Sequence, residues 1–498
     1  MRALWLALAL CSAAAWAQAF EPNAYPTPQP APQPQPPPQP VQPVQPQPQP
    51  EPVQPPPSQL TEEAPPPAFE PDGGQPEELI PQNPPDSPPA AAPTGGDLHV
   101  HGAIEASFVS FPSGTSGGQN DLFLNLQPII GLDAGDAFAI EVGPLLRLRL
   151  FDEPPDQRDQ DVGHILRGKD WDQTSDWGQL IRSFRIGKRD QFVWLEAGAV
   201  TKKSLGMGHL LTRYSNQDNP DYHPASATLG VQISAVRLEA FASDMLGARI
   251  FAGELTVDLG RAASNDPSWF DRIHAAVSVA TDFGKAGYNT PGATLGAIDL
   301  SAVLWRGNKA RVLALLGGAG RADEVSGGAL AGLALDAEFT PVDFGGKLEL
   351  RKQGGAFRFG YFGPGYELSR FSGIGFGLPP IASERIPDGW SVYLELRSAL
   401  GKQAVGDAAF EHYSWGRTDL DVSGSFLFFN ERLAATSRFT MVGVGETPRY
   451  AISVEGRFRI LPALYVLASA GTVMFPQPDG TLARGFFIGG GAGIDFEK

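Results

Sequence analysis

Four short stretches of this 498-residue chain hold the residue types that do chemistry. The letters GTSGG at 114–118 match a nucleophile elbow, which needs a buried strand before the serine and a helix after it to strain the side chain outward. Neither pattern flanks it, so a Gly/Ser loop is expected and no catalytic residue is assigned. His99 and His101 lie two apart with Glu105 on the same strand face, a spacing that could present metal ligands. No third histidine is near, so a polar wall is the preferred reading and no metal site is assigned.

The stretch FDEPPDQRDQDVGHILRGKDWDQTSDWG is rich in acids, and Asp170, Asp172, Thr174 and Asp176 hint at oxygen ligands for calcium. It lacks the glycine and terminal glutamate of an EF-hand loop, so a solvated loop is expected. In GMGHLLTRYSNQDNPDYHP, Arg213, Tyr214, Asn216, Asn219 and Tyr222 mix rings with hydrogen-bonding groups. They could stack on a sugar or fold the loop back on itself; a loop this long needs its own packing, which favours the fold-back. Cys11 is the only cysteine, and it falls in a segment expected to be removed, so disulfides, cysteine-ligated zinc and thiol catalysis are not expected. Nothing implies a cofactor.

Charge is patterned more tellingly than any motif. Arg147, Arg149, Arg182, Lys347, Arg351, Arg397, Arg457 and Arg459 alternate with apolar residues, as do Glu141, Glu349, Glu395, Glu455, Asp419 and Asp421. A period of two puts such residues on one face of a strand and their apolar neighbours on the other. If these faces surround a pore, Arg147, Arg149, Arg182, Lys347, Glu349, Arg351, Glu395, Arg397, Glu455, Arg457 and Arg459 line it. Opposed charges there select solutes by charge and orientation, or pair and brace the wall.

The elements that must position them begin late in the chain. Residues 1–17 read as a secretion signal: one arginine, an apolar run, then Ala15-Trp16-Ala17 in the small-x-small pattern of a cleavage site. Residues 18–96 contain 29 prolines and nine acids with no lysine or arginine. With fixed torsions, missing donors and few large apolar residues, this stretch is expected to be a disordered tether. The net charge of −17 argues against nucleic-acid binding.

From residue 97 onward, segments of alternating apolar and polar residues follow one another between Gly, Asn, Asp and Pro. Strands are expected to begin near residues 98, 119, 137, 179, 192, 226, 237, 247, 272, 295, 310, 327, 342, 389, 404, 419, 433, 449, 463 and 482. No stretch beyond the signal approaches the roughly 18–20 apolar residues of a membrane helix. The long connections 152–178, 202–225 and 353–388 all follow odd-numbered strands and so share one end. Trp194, Trp269, Trp305, Trp390 and Trp415 fall near strand ends, as girdle residues at lipid headgroups do.

The C-terminus, RGFFIGGGAGIDFEK, sets Phe486, Ile488, Ile494 and Phe496 on one face and mostly glycine on the other. Here the chain resembles outer-membrane β-barrel proteins of Gram-negative bacteria, porin-like proteins among them. Their last strand carries a sorting signal of glycine, two residues, apolar, one residue, aromatic; Gly491, Ile494 and Phe496 fit it. Glu497 and Lys498 follow the aromatic, where many members end on it.

The resemblance implies residence in the outer membrane with lipid around the wall, and insertion by the barrel-assembly machinery. The fold class expected for 97–498 is all-β, a transmembrane antiparallel β-barrel of about 18–20 strands. The tether would lie in the periplasm and could meet a periplasmic or cell-wall partner. A porin-like channel for small hydrophilic solutes is the leading expectation, and an enzyme is not. The alternatives are a component of an envelope machine, such as polysaccharide secretion, or a structural anchor.

Overall fold

The structure is a computed structural model that describes residues 98–498 except 113–119, 152–164, 190, 219–221, 264–271, 285–291, 374–378, 447, 477–480 and 498. The secretion signal, the proline tether, Cys11, the GTSGG stretch, Trp269 and Asn219 lie outside the described residues.

Twenty-two strand segments follow one another. They are β1 His99–Pro112, β2 Asn120–Asp133, β3 Phe138–Val142, β4 Leu146–Phe151, β5 Ile181–Ile186, β6 Val193–Gly198, β7 Ser226–Ile233 and β8 Val236–Ala242. Next come β9 Ile250–Asp258, β10 Ile273–Asp282, β11 Ala293–Arg306, β12 Ala310–Arg321, β13 Ser326–Phe339, β14 Val342–Gly355 and β15 Ser372–Gly373. The last are β16 Ile386–Leu400, β17 Ala404–Tyr413, β18 Thr418–Phe428, β19 Leu433–Val444, β20 Arg449–Arg459, β21 Leu464–Pro476 and β22 Thr481–Glu497.

Both β3 and β4 pair with β2 and form one interrupted stave, and β15 is a two-residue pairing that is not part of the wall, which leaves twenty staves. Each stave pairs antiparallel with the next, and β22 pairs with β1 from Ser110↔Ile488 to His101↔Glu497. The wall is therefore a closed barrel with no unpaired edge, the only sheet that satisfies its own backbone in lipid.

The period of two becomes an inside and an outside. On β14, Phe344, Leu348 and Leu350 are exposed, whereas Lys347, Glu349, Arg351 and Gln353 are buried. Ile104, Phe108, Leu229, Ile298, Leu333, Ile488 and Phe496 continue the exposed apolar surface around the ring. In water such a surface would be costly; against hydrocarbon it costs nothing.

Two glycines show how the inner face is fitted. Gly493 stands across from Tyr465 and has no room for a Cβ beside that ring, whose hydroxyl donates to Glu105 at 2.6 Å. Gly230, across from Trp194, leaves the space the indole fills. Trp194 is thereby turned inward, 1% exposed with Arg189 over its ring, and the expectation that it belongs to a girdle is corrected. Trp305 and Trp390 do face outward, half exposed, while Trp415 packs on Tyr413.

Antiparallel alternation puts the strand ends that flank the β4–β5, β6–β7 and β14–β16 connections at one end and turns such as that at Phe429, Asn430 and Glu431, all with positive φ, at the other.

Candidate functional site

Two of the long connections cross the barrel. The first strap, residues 199–225, leaves the ring between β6 and β7 and is bound half the circuit away. There Lys202 Nζ lies 2.5 Å from Asp407 on β17, and Arg213 lies 2.5 Å from Asp421 on β18, with Asp407 also in contact. On its near side Lys203 Nζ donates to Glu239 on β8 at 2.7 Å.

The second strap, residues 356–385, leaves between β14 and β16. It meets β10 through Tyr366 and Arg370 on Asp282, β12 through Arg321 on the Ala382 carbonyl, and β22 through the Ser372↔Thr481 bridge. Arg449 on β20 donates to the Pro379 carbonyl at 3.2 Å.

Where the straps meet they are zipped. The Phe362 amide donates to the Leu210 carbonyl at 3.0 Å, and the Thr212 amide to the Phe362 carbonyl at 3.1 Å. Leu211, Tyr214, Tyr361, Phe362 and Tyr366 are fully buried in one shared cluster, and the Tyr214 hydroxyl donates to Glu367 at 2.7 Å. Local sequence explains the path. Gly206 and Gly208 take φ of +54° and +75°, left-handed values that few other residues hold, and turn the chain around Met207.

Met207 packs against Val303, Leu313, Leu315 and Ala334, an apolar patch on the inner wall. Beside it is a cavity of about 130 Å³ bordered by Lys202, Arg213, Lys347, Glu395, Arg397 and Asp407. The first strap lines one side of it with Ser204, Gly206 and Met207, and the barrel side comes from strand segments toward the short turns, such as Leu313, Gly345 and Lys347, so the cavity lies below the straps.

The sequence-assigned candidates fall into three places. Lys347 and Arg351 flank Glu349 at 3.7 and 2.6 Å, Lys347 also reaches Glu395 at 3.4 Å, and Arg397 borders the same cavity. These five are brought together. Arg147 donates to Asp170 at 2.6 Å under the remaining long connection, and Arg149 lies 3.7 Å from Asp121 and over the Phe123 ring. Arg182 bonds Glu141 at 2.5 Å on the neighbouring stave. Near the seam, Arg457 contacts Glu455 at 2.9 Å and Glu105 at 3.1 Å, and Arg459 contacts Asp495 at 2.5 Å. Of the sorting signal, Ile494 and Phe496 face outward and Gly491 lies against the β1 backbone.

The weaker motifs resolve as follows. Asp170 is held by Arg147 and Arg167; burial opposes its charge, but these guanidiniums outweigh burial and keep the carboxyl well below its usual range. Asp176 instead accepts from the Gln173 amide at 2.9 Å as a helix cap, so the two aspartates have different partners. Burial, with Asp172 nearby, raises Asp176 to about 7. His101 contacts Glu141 at 3.3 Å, while Glu105 is taken by Tyr465 and Arg457. Arg213, Tyr214, Asn216 and Tyr222 are spent on strap and wall contacts, which is the fold-back expected; Arg249, for example, stacks on Tyr222 at 3.3 Å.

Sequence reasoning missed Lys202, His209, Asp299 and Asp407. Their partners lie some 90 to 205 residues away, as for His209 with Asp299 and Lys202 with Asp407, and no local pattern announces them.

A closed antiparallel barrel with an apolar outside, a polar inside and inward-folded loops defines the class: a porin-like β-barrel of the outer-membrane type. No protein-family model and no curated protein matches the sequence. Solved structures similar to the chain include the outer membrane protein OpdK from Pseudomonas aeruginosa, 9% identical over 81% of this chain and 100% of that one, with a TM-score of 0.34. OccK2 (OpdF) from the same organism is 12% identical over 81% and 98%, with a TM-score of 0.35. OprD, also from Pseudomonas aeruginosa, is 9% identical over 81% and 96%, with a TM-score of 0.31.

Proposed function

We propose that the chain is an outer-membrane channel that passes small hydrophilic solutes along a charged inner wall, with its N-terminal segment in the periplasm. The observation that carries this reading is the cavity below the straps, whose wall presents Lys202, Arg213, Lys347 and Arg397 beside Glu395 and Asp407. Charges of both signs in a confined, low-dielectric space orient a polar solute and raise its local concentration. The apolar exterior supports lipid as the surroundings, and the signal at Gly491, Ile494 and Phe496 fits insertion by the barrel-assembly machinery.

Planar-bilayer recordings of the refolded protein test it. Discrete conductance steps are expected, and charge reversal at Arg397 is expected to shift the ratio of anion to cation permeability. No conductance, even after residues 200–222 and 357–384 are shortened, would sink the reading. The proline-rich residues 18–96 favour a second one, in which the barrel serves an envelope machine or anchors the envelope through a periplasmic or cell-wall partner. Deleting 18–96 then abolishes export or cell-wall co-purification and leaves conductance unchanged; the channel reading expects neither loss.

A further inference from the structure

His209 lies beside the strap tip, and its side chain is fully buried. Its Nδ1 is 2.5 Å from Asp299 Oδ1 on β11, and its Nε2 is 3.2 Å from Glu349 Oε1 on β14. Both ring nitrogens thus face carboxylate oxygens. An ionised carboxylate only accepts, so each nitrogen must donate, and only the imidazolium carries two N–H groups. A neutral ring would set one lone pair against an anionic oxygen in a buried site.

The node also joins the two straps. The Gly360 amide donates to the His209 carbonyl at 2.8 Å, and the Phe359 ring packs edge-on to the imidazole at 6.0 Å. The other charged groups around it come from the wall. On β14, Lys347 and Arg351 also pair with Glu349; on β9, Glu254 acts on the imidazole electrostatically; on β11, Asp299 faces His209 as its cation. Glu349 therefore keeps cationic partners if the imidazole discharges, and the Asp299 contact is the one most exposed to that loss.

We propose that His209 is a proton-dependent latch: doubly protonated, it seats the joined straps on β11 and β14, and loss of one proton as pH rises unseats them. The proton passes to water or hydroxide, and no other bond changes. Burial pushes the imidazole down, but Glu349 and Asp299 outweigh it and hold it above its ordinary value, which favours the closed latch. Unseating uncovers the apolar patch under Met207. If the channel reading holds, it also widens the path.

A thiol placed under the strap reads the seating directly. In full-length protein carrying Cys11→Ser and Leu315→Cys, a charged maleimide should label position 315 slowly at pH 7, because Leu315 is 6% exposed. Adding His209→Gln should speed labelling by about tenfold or more, since it leaves Asp299 buried without its cation and so favours local opening. Adding Asp299→Asn to that variant removes the stranded anion and should restore the slow rate. From pH 7 to 10, the ratio of the His209→Gln rate to the parent rate should fall toward one, with thiol ionisation cancelling in the ratio. Rates within about twofold at pH 7, in barrels that still migrate as folded bands, would overturn the latch. Should His209→Gln not fold, Asp299→Asn alone decides: its labelling must accelerate at a lower pH than the parent's, and an unchanged profile overturns the proposal. Conductance is recorded separately, so a labelling change without conductance refutes the channel and leaves the latch standing.

Discussion

Arg213, with Lys202, holds the first strap's far anchorage. Its guanidinium serves Asp421 and Asp407 and lies 3.8 Å from Glu395, so removing it takes a cation from two buried carboxylates and leaves Lys202 beside Asp407 and Arg438 3.6 Å from Asp421. Arg213→Met should destabilise the seated strap by about 3–5 kcal/mol, and Arg213→Lys by less, because an ammonium keeps the charge but loses the fork. Thermal conversion of the folded gel band, followed with temperature, checks both. Gly493→Val should drive the Tyr465 ring off Glu105 and cost about 1–3 kcal/mol by overpacking, read in the same melt. At this scale the sequence was half legible. Alternation at Lys347, Glu349 and Arg351 placed them on one face, because the period of two is local. That Arg213 would meet Asp421, 208 residues on, was not legible, because an ion pair across a lumen leaves no spacing to read.

Among the elements, the acidic connection ahead of β5 carries a pH dependence of its own. Asp176, raised to about 7 from an ordinary 3.8, keeps its proton in the folded loop where the unfolded loop has lost it. Its contribution is therefore full below about pH 4 and declines as pH rises toward 7. Trp171 and Trp177 pack edge to face at 5.3 Å beside it and give a signal in near-ultraviolet circular dichroism. Protein and Asp176→Asn variant should give matching spectra at pH 5, both side chains being neutral, and diverge at pH 8.5; spectra that differ equally at both values would refute this. The strands themselves were legible to within a few residues, from β1 near 98 to β22 near 482, since each repeats the same apolar-polar alternation. The straps were legible only as loops that needed packing. Their zipper, through backbone groups of Leu210, Thr212 and Phe362, uses atoms that every sequence has.

For the whole molecule, closure through β1 and β22 predicts a compact band that runs faster unboiled than boiled, extracted from outer membranes; recovery in the soluble periplasm without such a band would contradict the lipid-facing surface. The stave count was readable because turns and long connections alternate, and the break between β3 and β4 was not, since Gly143 and Pro144 disturb only a few residues of one stave. The two straps have a mechanical meaning for this wall. A hollow hoop yields to squeezing by becoming oval, and the stiffness of its rim alone resists it. Here each strap is fastened at points far apart on the rim, and the two are knotted where they cross, so they act as spokes. Flattening the section in either direction must stretch one of them or tear its anchors at Asp421, Asp282 or Arg449. The barrel should therefore keep its cross-section in bilayers of differing lateral pressure, where an unspoked tube of the same girth would not.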